Sequence, residues 1–572
     1  MKKGLYRFLL LAVYMLSLTA YAQEPPKNQP NTGFELTGIR RASIPGQSVI
    51  KVQPAGKTDN RTKTSLDKED NQPAATLVRP EEPGWRTTRF QVETGTYLSH
   101  AGLSQGGSLP FWFRTNQYGI VPQGSVAGVL RGNVHTSYKS VIQTAKFDKV
   151  DFGYGADVVL NTTGRDWQLL VPEAYVKMRY GPFELYGGRR REVVGLLDTL
   201  LSSGSYIWSG NALPIPKVEL RIPDYWPARS FVGIKASYSH GFFENSRPFV
   251  TGALLHQKSL YVRLGKADSR LRFYGGMNTQ AQWGGRSPFF STEGRLPSNL
   301  EAYLYVVSGK SVAGDSLKFG NSFDGGNRVG NHLGSIDGAL EVNLGYSSLL
   351  VYRQSVYEDG SLYYLTSLVD GLNGISWQNR RQPLAGVQLE RLTVEYLHTM
   401  SQGGDMFLDS PAKYRGRDNY FNHAQYRDGW SYFGRTLGTP FITANPELKQ
   451  GLPPAGGAFT SNNRVQAWHM GAAGRFSPAV SFIGKVSYSR NAGTYDVALE
   501  PMLTQLSAYL SVGADVGFWP GVQVSGALGW DRGQLLNDAL GLHLRIRKTW
   551  VDKYRKDLVQ NVEGQPKGLA KR

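Results

Sequence analysis

The chain has no cysteine among its 572 residues. A disulfide-stapled secreted fold is therefore excluded, and so is a lipid anchor attached through an N-terminal thiol. Long apolar runs are missing as well. The run over residues 8–18 falls well short of the roughly 20 apolar residues that a helix needs to cross a bilayer, and no later stretch approaches that length. A helical membrane protein is excluded. There is no HExxH, no GxSxG, no phosphate-binding P-loop and no dinucleotide fingerprint, so neither an enzyme nor a resident cofactor is expected. His398, His423 and His469 lack the spacing of metal ligands, and no metal site is expected. The carboxylate pairs Asp405 with Asp409 and Glu358 with Asp359 read as solvated or lattice-forming loop residues. Acidic charge is the scarcer sign, 45 residues against 64 basic ones, and the net charge of +19 favours anionic partners.

What is present begins with an export signal. Lys2, Lys3 and Arg7 precede the short apolar run, and Ala20-Tyr21-Ala22 provides a cleavage site, so residues 1–22 are expected to be removed. In an exported protein the basic excess points to outer-membrane lipids, lipopolysaccharide phosphates or acidic glycans, and not to nucleic acid. Residues 23–84 are rich in Pro, Lys, Asn, Thr and Asp with few aromatics. They are expected to form a disordered periplasmic linker or loose plug. From residue 85 onward, short alternating segments are separated by clusters of Gly, Pro, Asn and Asp.

The last segment, residues 540–550, puts Leu540, Leu542, Leu544, Ile546 and Trp550 on one parity, and His543, Arg545 and Arg547 on the other. Such a strand turns lipid-facing residues outward and polar ones into a wet lumen, although a half-buried strand of a soluble sandwich would read the same in isolation. The pattern recurs at Ala174, Val176, Met178 and Tyr180, at Val232, Ile234, Ala236 and Tyr238, and at Val480, Phe482, Val486 and Tyr488. It is longest at Leu506, Ala508, Leu510, Val512, Ala514, Val516 and Phe518, opposed by Ser507, Tyr509, Ser511, Gly513, Asp515 and Gly517. That second face is too polar and too small for a dry core, so water, a plug or a ligand must lie against it. Pro520-Gly521 and Tyr180-Gly181-Pro182 read as short hairpin turns, the first leading into Val522, Val524, Leu528 and Trp530. The expected fold is all-β, a transmembrane antiparallel barrel of about 16 to 20 strands over residues 85–550. Residues 308–331 and 402–463 are then long extracellular loops, and residues 551–572 a basic C-terminal tail.

Ser209-Gly210-Asn211-Ala212-Leu213-Pro214-Ile215-Pro216, preceded by Gly187-Gly188-Arg189-Arg190-Arg191, resembles an element of the capsule assembly Wzi family. Further stretches fit in order: Leu109-Pro110-Phe111-Trp112 leading to Asn116-Gln117-Tyr118-Gly119, Arg353 through Gly360, Asp370-Gly371-Leu372-Asn373-Gly374, Asp428-Gly429-Trp430-Ser431-Tyr432, and Asn462-Asn463-Arg464. The resemblance covers nearly all of residues 85–550. It implies an outer-membrane barrel of about 18 strands that acts like a lectin, retaining capsular polysaccharide at the cell surface. Residues 23–84 depart from it, since well-described members carry a helical bundle there, and the tail has no counterpart.

Glycan binding asks for flat aromatic faces beside charged groups. Arg415, Arg417, Tyr420, Arg427, Trp430, Tyr432 and Arg435 supply both within one loop, making it the first candidate surface; packing of those aromatics over the barrel mouth is the structural alternative. Arg189 and Arg191 should share one face of a strand end and Arg190 the other, with Glu184 and Glu192 or lipid phosphates as alternative partners. Residues 209–216 read as a constrained loop folding into the barrel. The expected function is retention of acidic capsular polysaccharide by a monomeric barrel with loops exposed at the cell surface. A diffusion channel for anionic solutes is the alternative.

Overall fold

The computed structural model describes residues 86–554 apart from residues 100–107, 122, 139–149, 164–165, 313–317, 321–322, 325–327, 359–365, 382–385, 407–415 and 454–455. The export signal, the linker at residues 23–84, Arg415, Asp359 and Asp409 lie outside the described residues, as does the tail beyond residue 554.

The chain begins with β1 (Arg86–Ser99), a one-turn helix α1 (Phe111–Arg114), β2 (Val126–Thr136), β3 (Val150–Thr163), β4 (Asp166–Tyr180) and β5 (Phe183–Arg189). Next come β6 (Lys217–Trp226), β7 (Val232–Phe242), β8 (Leu254–Leu264) and β9 (Leu271–Trp283). Helix α2 (Leu300–Ser308) precedes β10 (Asn331–Asn343), β11 (Ser347–Glu358), β12 (Gly371–Asn379) and β13 (Gln388–His398). A small hairpin, β14 (Ser431–Tyr432) and β15 (Arg435–Thr436), interrupts the series. The chain then completes β16 (Val465–Ser477), β17 (Val480–Gly493), β18 (Ala498–Asp515), β19 (Val522–Gly533) and β20 (Ala539–Tyr554).

Among the described residues, 18 of these strands form a single antiparallel sheet, and β1 pairs with both β2 and β20 to close it into a barrel. Closure leaves no sheet edge, so every strand has a hydrogen-bonded neighbour on both sides, as a lipid environment requires. The turn end of the barrel, where β1 begins and β20 finishes, carries tight connections such as Gly181-Pro182, with Gly181 at φ 57°. The opposite, loop end carries the long connections at residues 100–125, 190–216, 284–330 and 399–464.

The sequence parities hold. Leu540, Leu542 and Leu544 are exposed on the outer wall, while His543, Arg545 and Arg547 are buried inside. Val176, Ile234, Val486 and Leu510 face outward in the same way, and Ser507, Tyr509 and Ser511 face the lumen. Trp550 meets Phe90 on the outer surface, ring centres 5.4 Å apart. Val522 departs from its set: it is buried in the turn, where Val516 N donates to its carbonyl at 2.9 Å. The terminal strand, expected to end at Trp550, continues to Tyr554, because the backbone from Val551 onward still pairs with Arg89, Thr88, Thr87 and Arg86 of β1.

The lumen is where the structure departs most from an empty tube. Three connections fold down into it and build one apolar cluster with the wall, including Phe111, Trp112 and Phe113 from the first, Tyr206, Ile207 and Trp208 from the second, and Tyr420, Phe421 and Trp430 from the third. The described part of residues 402–463, a stretch read from its polarity as an extracellular loop, therefore contributes much of the buried core. Wall glycines make the space. A Cβ at Gly541 would lie 2.8 Å from the Phe113 ring, one at Gly529 2.8 Å from Pro110, and one at Gly471 2.8 Å from Leu201. Overpacking of this kind costs about 1–3 kcal/mol. Gly541→Val is thus expected to expose residues 108–125 to limited proteolysis while the barrel's strand circular dichroism is unchanged.

Candidate functional site

The segment over residues 190–216 is held by the wall through a set of hydrogen bonds that the alternating pattern of the strands supplies. Asp337 on β10 accepts from Leu196 N at 3.0 Å, and Gln354 on β11 accepts from Tyr206 N at 3.0 Å. Glu395 on β13 accepts from Ser202 Oγ and Ser203 N, both at 2.6 Å. Asp198, at the tip of the segment, pairs with Arg391 of β13 at 3.3 Å and caps its own turn by accepting from Leu200 and Leu201 N. His469 on β16 lies 2.7 Å from the Leu201 carbonyl through Nε2 and 2.7 Å from Ser487 Oγ through Nδ1, so it is a plug anchor. Among the described residues, no group of three metal-ligating side chains occurs.

The other two inserted segments lock onto this one. Asn211 Nδ2 donates to Thr436 O at 3.0 Å, Ser209 N to Leu437 O at 3.0 Å and Asn116 N to Asn211 Oδ1 at 3.1 Å. Residues 209–216 thus fold into the barrel as their prolines suggested. Phe111 N donates to Asp531 of β19 at 2.6 Å, and the buried Arg114 pairs with Glu447. The β14–β15 hairpin turns through Phe433 and Gly434 at φ 48° and 69°, the two left-handed positions that a tight hairpin turn needs.

The sequence-named residues divide sharply against this frame. Tyr420, Trp430, Tyr432 and Arg435 are buried. Tyr420 donates its hydroxyl to Asp370 at 2.9 Å and Trp430 its indole N–H to Ile207 O at 2.9 Å. Arg435 donates to the carbonyls of Arg114 at 3.1 Å and Val121 at 2.5 Å. These groups are committed to the plug. Arg417 and Arg427 stay at the loop end: Arg417 pairs with Asp496 at 2.7 Å, and Arg427 lies over the Phe289 ring at 3.6 Å.

The arginine triplet does not alternate as expected, because β5 ends at Arg189, after Gly188 at φ 122°. All three guanidiniums find partners inside the barrel. Arg189 donates to the Tyr432 hydroxyl at 3.0 Å, Arg190 to Glu184 at 2.5 Å, and Arg191 pairs with Asp157. Asp157 is also gripped by Arg131 at 2.8 and 2.9 Å, and Glu184 by Arg221 at 2.6 Å. Arg131, Arg190, Arg191 and Arg221 are therefore neutralised by carboxylates inside the barrel, and the net positive charge of the chain resides elsewhere.

Around Arg427 the loop end gathers aromatic rings from separate connections: Phe249 with Phe289 at 5.9 Å, Phe290 with Phe323 at 5.2 Å, and Phe323 with His423 at 5.3 Å. Burial holds the His423 imidazole neutral, down at about 3. Desolvation likewise raises the Asp428 carboxyl above its ordinary range, and its two oxygens accept from Phe249 and Val250 N at 3.3 and 2.8 Å.

Between the plug and the wall is a small recess of about 70 Å³ lined by Trp112, Asn116, Tyr118, Ser202, Lys485 and Tyr509, among others. Its wall residues belong to the turn-end halves of β17 and β18. Lys485 Nζ donates to Ser202 O at 3.3 Å and lies 4.7 Å from the Trp112 ring centre. Sequence reading passed over this lysine, whose only signal was a charge on the inward parity of its strand.

A closed antiparallel ring with an apolar outer belt, a charged inner wall and a lumen occupied by its own connections defines the class: a plugged β-barrel of the outer-membrane type. No family pattern matches the chain, and no curated protein matches it. Among solved structures it is similar to Wzi of Escherichia coli, described as an outer membrane protein involved in group 1 capsule assembly and a carbohydrate-binding β-barrel, with a TM-score of 0.46 and 15% identity, covering 80% of this chain and 83% of that one. It is similar as well to OccK5 (OpdH) of Pseudomonas aeruginosa, with a TM-score of 0.40 and 10% identity over 82% and 98% of the two chains. OccAB4 of Acinetobacter baumannii gives a TM-score of 0.41 and 8% identity over 83% and 100%.

Proposed function

We propose that this barrel, acting as a monomer, retains an acidic capsular polysaccharide at its loop end, through many weak contacts and without turning it over. The observation that carries this reading is the plug: the apolar, hydrogen-bonded fill of the lumen favours holding a polymer over passing a solute. Long loops of outer-membrane barrels face the cell exterior, which would place Arg417, Arg427 and the rings around Phe289 before a surface glycan. A polymer that touches several modest sites is held far better than any one sugar would be. The motif resemblance to the capsule assembly family supports the same reading.

A diffusion channel for anionic solutes is the second reading, favoured by the recess beside Lys485 and by the arginine-lined inner wall. Binding of the detergent-folded protein to the polysaccharide of its own cells, alongside conductance in planar bilayers, separates the two. The expected result is binding that weakens as salt rises, falls about tenfold in an Arg417→Ala, Arg427→Ala variant, and comes with no steady conductance. A steady anion current with no polysaccharide binding would replace retention by the channel.

A further inference from the structure

The connection from β9 to β10 folds a small hairpin whose role the sequence reading did not assign. Arg286 forms antiparallel bridges with Thr251 on one side and Arg295 on the other, and Ser287 N donates to Gly294 O at 3.1 Å. Residues directly opposite in an antiparallel ladder send their side chains to the same face, with Cβ atoms about 4.5–5.5 Å apart. Thr251, Arg286 and Arg295 accordingly form one row across three strands of backbone, and all three are exposed.

Two like charges opposite one another repel. Among the described residues neither guanidinium lies within 4.0 Å of a carboxylate, the exposed Glu293 of the same hairpin included. This sets Arg286 and Arg295 apart from Arg131, Arg190, Arg191 and Arg221, each of which has an acidic partner in the wall.

The hairpin is also firmly seated. Ser287 Oγ donates to Gln425 O at 2.9 Å, and Gln425 Nε2 donates to Phe290 O at 2.9 Å. That docking brings Arg427 onto the face of Phe289. Phe290, beside it, is 52% exposed and sits at φ 48°, a left-handed conformation that a bulky side chain rarely adopts. Strain of this kind persists only where neighbours enforce it, and it concentrates at binding sites. Here the two bonds to Gln425 are the enforcing contacts.

We propose that the row Thr251–Arg286–Arg295, with Phe290 and Arg427 at its flank, is a carboxylate clamp for uronic-acid units of a glycan. Two adjacent guanidiniums sharing one carboxylate remove their mutual repulsion and supply paired N–H donors in the planar geometry that a carboxylate accepts. The Thr251 hydroxyl bonds to a ring hydroxyl, and Phe290 covers the apolar face of the sugar. Arg427 meets the next acidic unit. The inference rests on the polysaccharide reading above and narrows it to polymers that bear carboxylates along their length.

The test measures binding of full-length protein to the cells' own acidic polysaccharide and to the same polymer after its carboxylates have been reduced to alcohols. The variants are Arg286→Ala with Arg295→Ala, Arg286→Lys with Arg295→Lys, and Arg229→Ala at the turn end as control. The clamp predicts at least tenfold weaker binding for the double Ala variant, a smaller loss for the double Lys variant, and none for Arg229→Ala. It also predicts a comparable loss when the wild type meets the carboxyl-reduced polymer, a comparison that needs no variant to fold. Equal binding of both polymers by the wild type, or full binding by the double Ala variant, overturns the clamp and leaves retention standing. Binding to vesicles containing lipopolysaccharide that is lost in the double Ala variant, with polysaccharide binding intact, also overturns it in favour of lipid phosphates. A wild type that binds neither polymer brings down the retention reading itself.

Discussion

Replacing Asp370 by Ala is expected to release the mouth of the barrel. This fully buried carboxylate, one residue before β12, accepts from Ser401 N at 3.0 Å, Gln402 N at 2.7 Å and the Tyr420 hydroxyl at 2.9 Å, and it lies 2.9 Å from His398 Nδ1. Two of those donors begin the 399–464 segment and a third sits in its core, so one side chain fixes both the start of the segment and its docking. Truncation leaves several buried polar groups without an acceptor at once, a loss on the order of 3–5 kcal/mol. The strands do not depend on these bonds. The expected picture is therefore rapid proteolytic cleavage within residues 399–464 of an otherwise intact barrel, with loss of the ring cluster around Arg427 and of any glycan binding that depends on it. Unchanged protease resistance and unchanged thermal melting would show that the segment is held without Asp370.

The second large effect is expected at Glu395. Its carboxylate, buried on the inner wall, takes Ser202 Oγ, Ser203 N and the Tyr352 hydroxyl, the last at 2.5 Å, and thereby joins the tip of the 190–216 segment to two wall strands. Glu395→Ala removes all three acceptor contacts, again on the order of 3–5 kcal/mol at a buried charged site. Lys485, which donates to Ser202 O, would lose its positioned partner as the tip lifts. Once the 196–206 hook leaves the wall, the lumen is expected to open and steady conductance to appear in planar bilayers, where the retention reading expects none from the wild type. Glu395→Gln keeps an acceptor oxygen and should lie between the two. A Glu395→Ala protein as closed as the wild type would mean that Asp337, Gln354 and Asp198 hold the segment by themselves.

The fold was legible because strand alternation is a local property. Leu540, Leu542 and Leu544 against His543, Arg545 and Arg547 can be assigned to lipid and lumen from spacing alone, since successive residues of a strand point to opposite faces wherever the strand lies. Strand number followed from dividing the length of residues 85–550 by about 25 residues for a strand with its share of turn and loop. The candidate site was legible only in part. Trp430, Tyr432 and Arg435 have the composition of a glycan surface, yet they are the interior of a plug. No periodicity distinguishes an aromatic that covers a sugar from one that packs a loop, because both tasks ask for the same flat, amphipathic face. Gly471, Gly529 and Gly541 likewise read as weak points in strands until the inserted segments are seen to lie against them.

By itself, then, the sequence determined the lipid-facing parity of its strands and a barrel of the right size, both consequences of composition and a period of two. Tertiary structure decided whether the lumen is filled, which arginines are neutralised by Asp157 and Glu184, and which stay at the loop end, Arg286 and Arg295 exposed and Arg427 half-buried over Phe289. Those outcomes depend on contacts between residues up to hundreds of positions apart, such as Arg435 with Arg114 or Leu196 with Asp337, and the free energy of a buried charge is set by its partners and not by its neighbours in the chain.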